Sequence, residues 1–273
     1  MLPALPLLEY ALAVTGGYAA VMAQTGRFAT PTEPGQALVA PHGRIALRVD
    51  PERLRAGVVD RGRGERMLQF VDRRDDVVHR VRALSPTDTL VFDGLARPEG
   101  KLGAEAPRDA LPPVRTPWHE ADQLAQLDGI LADGGVMRRQ RLVDLYEGEV
   151  RSVELGVLPI VLDHLCATQL PVSAAVFSGG VVQLADGVVQ LVSSSDEGRL
   201  GTVLGQCTID VDLALVHESV LVRSHGPHGQ TSAIELYDAH GRTVAMFTQL
   251  GIVGAEAHAA WEDLADSLPV ASW

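Results

Sequence analysis

Residues 67–84 read MLQFVDRRDDVVHRVRAL, and residues 233–250 read AIELYDAHGRTVAMFTQL. Each is an alternating apolar run, an aspartate (Asp72, Asp238), a polar cluster and a second alternating run. Period-two apolar residues on both sides of a turn-forming cluster specify a β-hairpin. The same hairpin met twice in one chain points to an internal repeat. Strand-like runs precede each copy: RIALRV (44–49) in the first half, and VSAAVF, GVVQLA and GVVQLV within 172–192 in the second.

Working outward, residues 94–117 (GLARPEGKLGAEAPRDALPPVRTP) are rich in Gly, Pro and Ala without periodicity and read as a linker. The expected organisation is a first repeat over 1–93, the linker over 94–117 and a second repeat over 118–273. Helices are expected from Trp118 to about Leu131, from Arg138 to Tyr146, over 156–168 and over 258–267, the last containing Trp261. Antiparallel sheets with helices segregated beside them make an α+β fold of two tandem diverged repeats. No βαβ alternation, GxGxxG or GxxxxGK[ST] occurs, so those nucleotide-binding loops are unsupported.

Composition narrows the function. The formal net charge is -12, and Lys101 is the single lysine. Such a surface argues against nucleic acid, which needs a cationic face. Nearly every cation is therefore an arginine, whose planar fork suits carboxylates. Cys166 and Cys207 lie far apart without CxxC spacing, and read as free thiols in a reducing compartment. Residues 1–23 are apolar, but they lack a basic leader and are broken by Pro3, Pro6, Glu9 and Gly16-Gly17. They read as a buried helix followed by a strand, in a cytoplasmic protein without membrane insertion.

No catalytic constellation emerges. GxSxG, HExxH and a Cys–His signature are all missing. His225 and His228 sit in SHGPHGQ, which reads as a solvated hairpin turn without a third metal ligand. His79 reads as a strand residue on the polar face, and His164 as a surface residue of a helix. Pattern alone leaves His119 and His217 unassigned.

The second half resembles the C-terminal repeat of the cytoplasmic haemin-transport and haemin-degrading family of bacterial iron uptake. The resemblance is carried by HESVLVRS (217–224), TSAIELYDAHGRTVAMF (231–247), Trp261 in AAWEDLADSL, and LPVSAAVFSGGVVQLADGVVQLV (170–192). The first half is similar to the N-terminal repeat through TGGYAAVMAQTGRF (15–28), RIALRV and RMLQFVDRRDDVVHRVRALSPTD (66–88). The resemblance implies two stacked repeats, haem in the cleft between them, and a function in binding and handing on haem. It implies haem or a related porphyrin as ligand, and a haem-receiving oxygenase or haem-importer component as partner. By the same resemblance Arg48, Arg138 and Arg223 match cleft arginines and are candidates for the propionates or the distal face of the haem. Propionates are carboxylates, for which bidentate arginine is the strongest donor.

The chain departs from the family at one decisive place. Counted from Arg138 or from Trp118, the axial-histidine register falls on Ala125, which cannot ligate iron. His119 is the fallback on the same expected helix, but six residues away it takes a different angular position. Asp50 stands where the family has a Phe, and Met22-Ala23 replace His-Glu. Haem degradation therefore stays an open expectation. Two alternatives stand beside haem handling: a non-catalytic relative for another porphyrin or amphipathic anion, and a structural protein whose cleft is filled by side chains.

Overall fold

The computed structural model describes residues 1–34, 36, 43–60, 66–86, 88–96, 127–131, 138–145, 150–226, 229–249 and 254–271. The alternating stretches are strands. The first half supplies β1 (Ala11–Gly16), β2 (Ala20–Gly26), β3 (Ala46–Val49), β4 (Arg55–Asp60), β5 (Arg66–Val71) and β6 (Val77–Ala83). The second supplies β7 (Val150–Val153), β8 (Pro171–Ser178), β9 (Val181–Ser194), β10 (Arg199–Leu204), β11 (Cys207–Asp212), β12 (Val216–Gly226), β13 (Gly229–Asp238) and β14 (Thr243–Thr248). Helices are α1 (Asp88–Ala96), α2 (residues 127–131), α3 (Arg138–Leu145), α4 (Leu158–Thr168) and α5 (Ala255–Ser267).

The duplication is visible in the strand order. The first half runs β4-β5-β6-β1-β2 and the second β12-β13-β14-β8-β9, each extended antiparallel at its second strand. The two hairpins read from sequence, β5–β6 and β13–β14, occupy equivalent places. Both also carry a register shift just before the aspartate, at Phe70/Val71 and at Leu236/Tyr237. The turns match bond for bond. Asp72 Oδ1 accepts from the backbone N–H of Arg74 (2.8 Å) and Asp76 (3.0 Å). Asp238 Oδ1 accepts from His240 (2.8 Å) and Arg242 (3.0 Å). The fourth turn residue is left-handed in both, Asp75 at φ 67 and Gly241 at φ 72. An aspartate is required because its short carboxylate closes an Asx-type turn on its own backbone.

The repeats are not separate bodies. β11 of the second half pairs with β2 of the first, and β3 of the first pairs with β9 of the second. Each half thus lends a strand to the other, and the pairing forms one 14-stranded sheet. On one face of the second repeat, Val176, Ile234, Leu236 and Phe247 pack against Leu162 and Leu165 of α4 and Trp261 of α5. On the opposite face, Ala175, Phe177, Val182, Leu184 and Met246 pack against Leu127, Ile130 and Leu131 of α2. The first repeat has its own core of Ala13, Leu68, Phe70, Val81 and Phe92, completed by Leu47, Val49 and Val181.

Residues 1–23 hold the expected helix and strand, as a 3-10 helix over Leu2–Leu7 and the β1–β2 hairpin from Ala11, while two other expectations need correction. Pro3 and Pro6 keep the helix short, and ALAVTG alternates buried and half-buried as a strand does. The expected linker starts too early, since α1 continues through Ala96; residues 97–117 lie outside the described residues. His79 is buried, because its period-two neighbour on β6 is inward-facing Val81, not Val78.

The matched turns predict opposite outcomes for two substitutions. Gly241→Val places a β-branched side chain at φ 72 and is expected to destabilise by about 1–2 kcal/mol. Asp75→Gly relaxes the same geometry and removes only an exposed ion pair to Arg55, so stability should be unchanged or raised by up to about 1 kcal/mol. Urea unfolding of the two variants checks both.

Candidate functional site

The four hairpin turns β1–β2, β5–β6, β8–β9 and β13–β14 converge at one end of the sheet and enclose a cavity of ≈ 700 Å³. Close backbone approach shapes this end. A Cβ on Gly179 (φ +43) would meet Val78 Cγ1 at 2.6 Å and Asp72 Cβ at 2.9 Å, so the β8–β9 turn tolerates only glycine there. One wall is apolar, formed by Ile130 and Leu131 of α2 with Phe177, Val78, Val181 and Val244. The rim carries Arg53, Arg73, Arg74, Arg80 and Arg242. Asp72, Asp75, Asp76 and Asp238 also line it; the Asp72 and Asp238 carboxylates are engaged in their own turns, Asp238 additionally with Arg242 at 2.6 Å, and Asp75 pairs with Arg55. The side chains of Arg74 and Arg80 are exposed and have no carboxylate partner among the described residues.

Beside the cavity, α2 and α3 roof the face of the second repeat opposite α4 and α5. Arg48 lies on that face, fully buried, with Nε donating to Asp128 of α2 at 2.5 Å. Its Nη1 donates to Thr32 Oγ1 (3.2 Å) and to the Gln36 carbonyl (3.1 Å), while Nη2 has no partner among the described residues. Arg138 starts α3 and donates through two nitrogens to Glu235, at 2.9 and 3.3 Å, with both side chains buried. The Tyr237 hydroxyl also donates to Glu235; burial and that carboxylate push its pKa up. Arg139 makes a second fork to Glu218, at 2.6 and 2.8 Å, and Ser152 donates to the same carboxylate.

The structure therefore brings Arg48 and Arg138 to one face, both already engaged by internal carboxylates. It does not bring Arg223 to them. Arg223 alternates with Leu221 on the opposite face of β12 and pairs with Asp266 of α5. The three arginines do not form one clamp. Ala125 and His119 lie outside the described residues. His217 is at the start of β12, His164 is exposed on α4, and His228 is outside the described residues. Among the described residues no His/Cys/Asp/Glu group is disposed to hold a metal ion.

Sequence reasoning missed the arginine rim. Its available signal was HRVRAL, where Arg80 and Arg82 alternate with inward residues and so must share the outer face of β6. It also missed a buried polar chain across the two halves. His79 Nδ1 and Thr15 Oγ1 are 2.6 Å apart, and Thr15 donates to Gln183 Oε1 at 2.8 Å. Gln183 Nε2 reaches Gln24 Oε1 at 3.5 Å, and Gln24 Nε2 donates to the Arg44 carbonyl at 3.3 Å. Because the Thr15 proton goes to Gln183, Thr15 accepts from His79, which assigns the ring proton to Nδ1. His79 Nε2 is left without a partner among the described residues, beside the rings of Phe28 and Phe70.

Residues 135–268 match the family model described as the haemin-degrading HemS.ChuX domain. Among solved structures, the heme-binding protein PhuS from Pseudomonas aeruginosa is 18% identical with a TM-score of 0.73, over 99% of this chain and 84% of that one. The heme-degrading enzyme ChuS of Escherichia coli O157:H7 is 20% identical with a TM-score of 0.73, over 98% of this chain and 83% of that one. No curated protein sequence matches the chain. Among the described residues, no helix is long and apolar enough to cross a membrane.

Two substitutions test the buried polar groups. Burial lowers the His79 pKa from 6.5 to about 3. The folded form binds the proton more weakly than the unfolded chain, so His79 costs nothing above pH 6.5 and stability falls as pH drops from there towards 3. Unfolding measured between about pH 7.5 and 4.5 should show this slope, and His79→Asn should flatten it. Removing one partner of the buried pair, as in Glu235→Gln, is expected to destabilise by about 3–5 kcal/mol. Replacing both partners, Arg138→Met with Glu235→Met, should recover most of that loss in the same assay.

Proposed function

Residues 135–268 belong to the haemin-degrading HemS.ChuX family, and from that premise we propose that this protein binds haem, or a porphyrin of the same dicarboxylate chemistry, and hands it on. The observation that carries the reading is the cavity between the turns, which joins an apolar wall to an arginine rim. Its ≈ 700 Å³ falls within the range of roughly 300–1,000 Å³ that small-molecule sites occupy. A porphyrin is a flat apolar disc with two carboxylates on one edge. Ile130, Leu131 and Phe177 suit the disc, and Arg74 and Arg80 suit the carboxylates. In this reading the propionate donors are rim arginines, in place of Arg48, Arg138 and Arg223. The latter three hold the scaffold through Asp128, Glu235 and Asp266. The receiving partner would be a haem oxygenase or an importer component in the cytoplasm.

A second reading has its own support. α2 is packed directly on Ala175, Val182, Leu184 and Met246, and its Asp128 occupies Arg48. A cleft at that place is filled by side chains, as a structural protein would have it. Haemin titration followed at the Soret band separates the two. Saturation at one equivalent supports haem binding, and the absence of a defined shift supports the filled cleft. In a haem-binding protein, Arg74→Ala and Arg80→Ala should each weaken binding about tenfold or more, from roughly 1.5–3 kcal/mol per charge-assisted contact. Their exposure means that neither should alter the melting temperature appreciably.

A further inference from the structure

Resting on the haem reading of the same cavity, we infer that Tyr18 is the protein's ligand to the haem iron. Proteins hold haem iron through histidine, cysteine, methionine or tyrosine. Among the described residues that line the cavity there is no histidine, cysteine or methionine, and Tyr18 is the one phenol. Among the described residues, the site therefore supplies arginine donors for the carboxylates, the apolar wall, and one side chain with the chemistry to reach iron.

The placement of Tyr18 has no structural explanation in the fold itself. It stands at the tip of the β1–β2 turn with 72% of its surface exposed. In the second repeat the equivalent β8–β9 turn passes directly from Ser178 to Val181 through Gly179 and Gly180, and carries no side chain there. In the first repeat the ladder closes at Gly16 and Val21, so the turn is longer and presents a large aromatic beside the cavity. Gly16 and Gly17, immediately before Tyr18, also line the cavity and leave its mouth free of side chains at that point. Arg74 and Arg80, which line the same cavity, suit the propionates of such a ligand.

Among the described residues one histidine competes. His240 lies in the Asp238–Arg242 turn, whose first and last residues line the cavity. Its own ring is not part of the lining; it is 77% exposed and sits 4.0 Å from the Asp238 carboxylate. The geometry favours the tyrosine.

Ligation breaks the phenol O–H bond and forms an Fe–O bond. The proton goes to solvent, the chloride or water on haemin leaves, and the iron remains ferric. One proton is released per haem bound, so affinity should rise with pH.

The test is a haemin titration of the full chain and of Tyr18→Phe, Tyr18→His and His240→Ala, read by visible absorption and electron paramagnetic resonance. The wild type should give a high-spin ferric spectrum with a phenolate-to-iron charge-transfer band. Tyr18→Phe should lose that band and bind at least about tenfold more weakly. Tyr18→His should move the spectrum to the imidazole type, and His240→Ala should match the wild type. If wild type binds and Tyr18→Phe gives an unchanged spectrum, or if His240→Ala alone changes it, the tyrosine assignment is overturned while haem binding stands. If wild type gives no defined complex, the haem reading itself is lost. Tyr18 is exposed, so these variants keep the fold, which the melting temperature verifies.

Discussion

A β-strand left with one bare edge carries a row of unpaired N–H and C=O groups, and the two halves of this chain relieve that constraint for each other. β2 would end the first repeat's sheet, and in the second repeat β10 pairs with β9 only from Val189 onward, which leaves the edge of its first residues open. β11 closes β2 from Ala20 to Gln24, and β3 closes β9 from Val181 to Leu184. Backbone hydrogen bonding leaves little choice, since a buried amide without a partner costs more than a typical net hydrogen bond returns. The exchange also explains why the first repeat's core needs Val181, and why Met22 is buried with residues of the second repeat. The repeats read separately in the sequence are thus one structural unit.

Strand exchange fixes where the turns go. With β1–β2 and β8–β9 held in one sheet, their tips and those of β5–β6 and β13–β14 fall at the same end. The cavity is a consequence of that meeting. Its arginines come from turn residues and from the outer face of β6, positions that packing leaves free to carry charge. Its apolar wall comes from α2, which Asp128 ties to Arg48, and from sheet residues such as Phe177. Arg138–Glu235 is buried on both sides, so it fixes one position of the α2–α3 roof at a desolvation cost and adds little net stability.

The hairpins were legible because their signal is local. Alternation and an aspartate turn lie within eighteen or so residues, and the turn geometry follows from side-chain chemistry alone. Strand exchange was not legible, because the apolar pattern of β3 or β11 is the same whichever edge the strand joins. His79 shows a smaller failure of the same kind. Its face depends on counting from Val81, and a bulge at Phe70/Val71 offsets that count against the turn. α1 escaped notice because the Gly in DTLVFDGLA was read as the start of a linker, yet Phe92 and Leu95 are buried.

The candidate site divides along the same line. Family resemblance pointed to Arg48, Arg138 and Arg223 as ligand donors, and each turned out to have a carboxylate of this chain as partner. An arginine that matches by sequence position keeps its charge and its fork, but the sequence does not reveal which anion completes it. In Asp128 and Glu235 the protein supplies that anion itself, so the charge of each buried guanidinium is already met, although Arg48 Nη2 has no partner among the described residues. Unsatisfied charge is therefore the better guide to a ligand than matched position. By that criterion the site moves from the roofed face of the second repeat to the turns, where Arg74 and Arg80 stand uncommitted among the described residues beside an apolar wall.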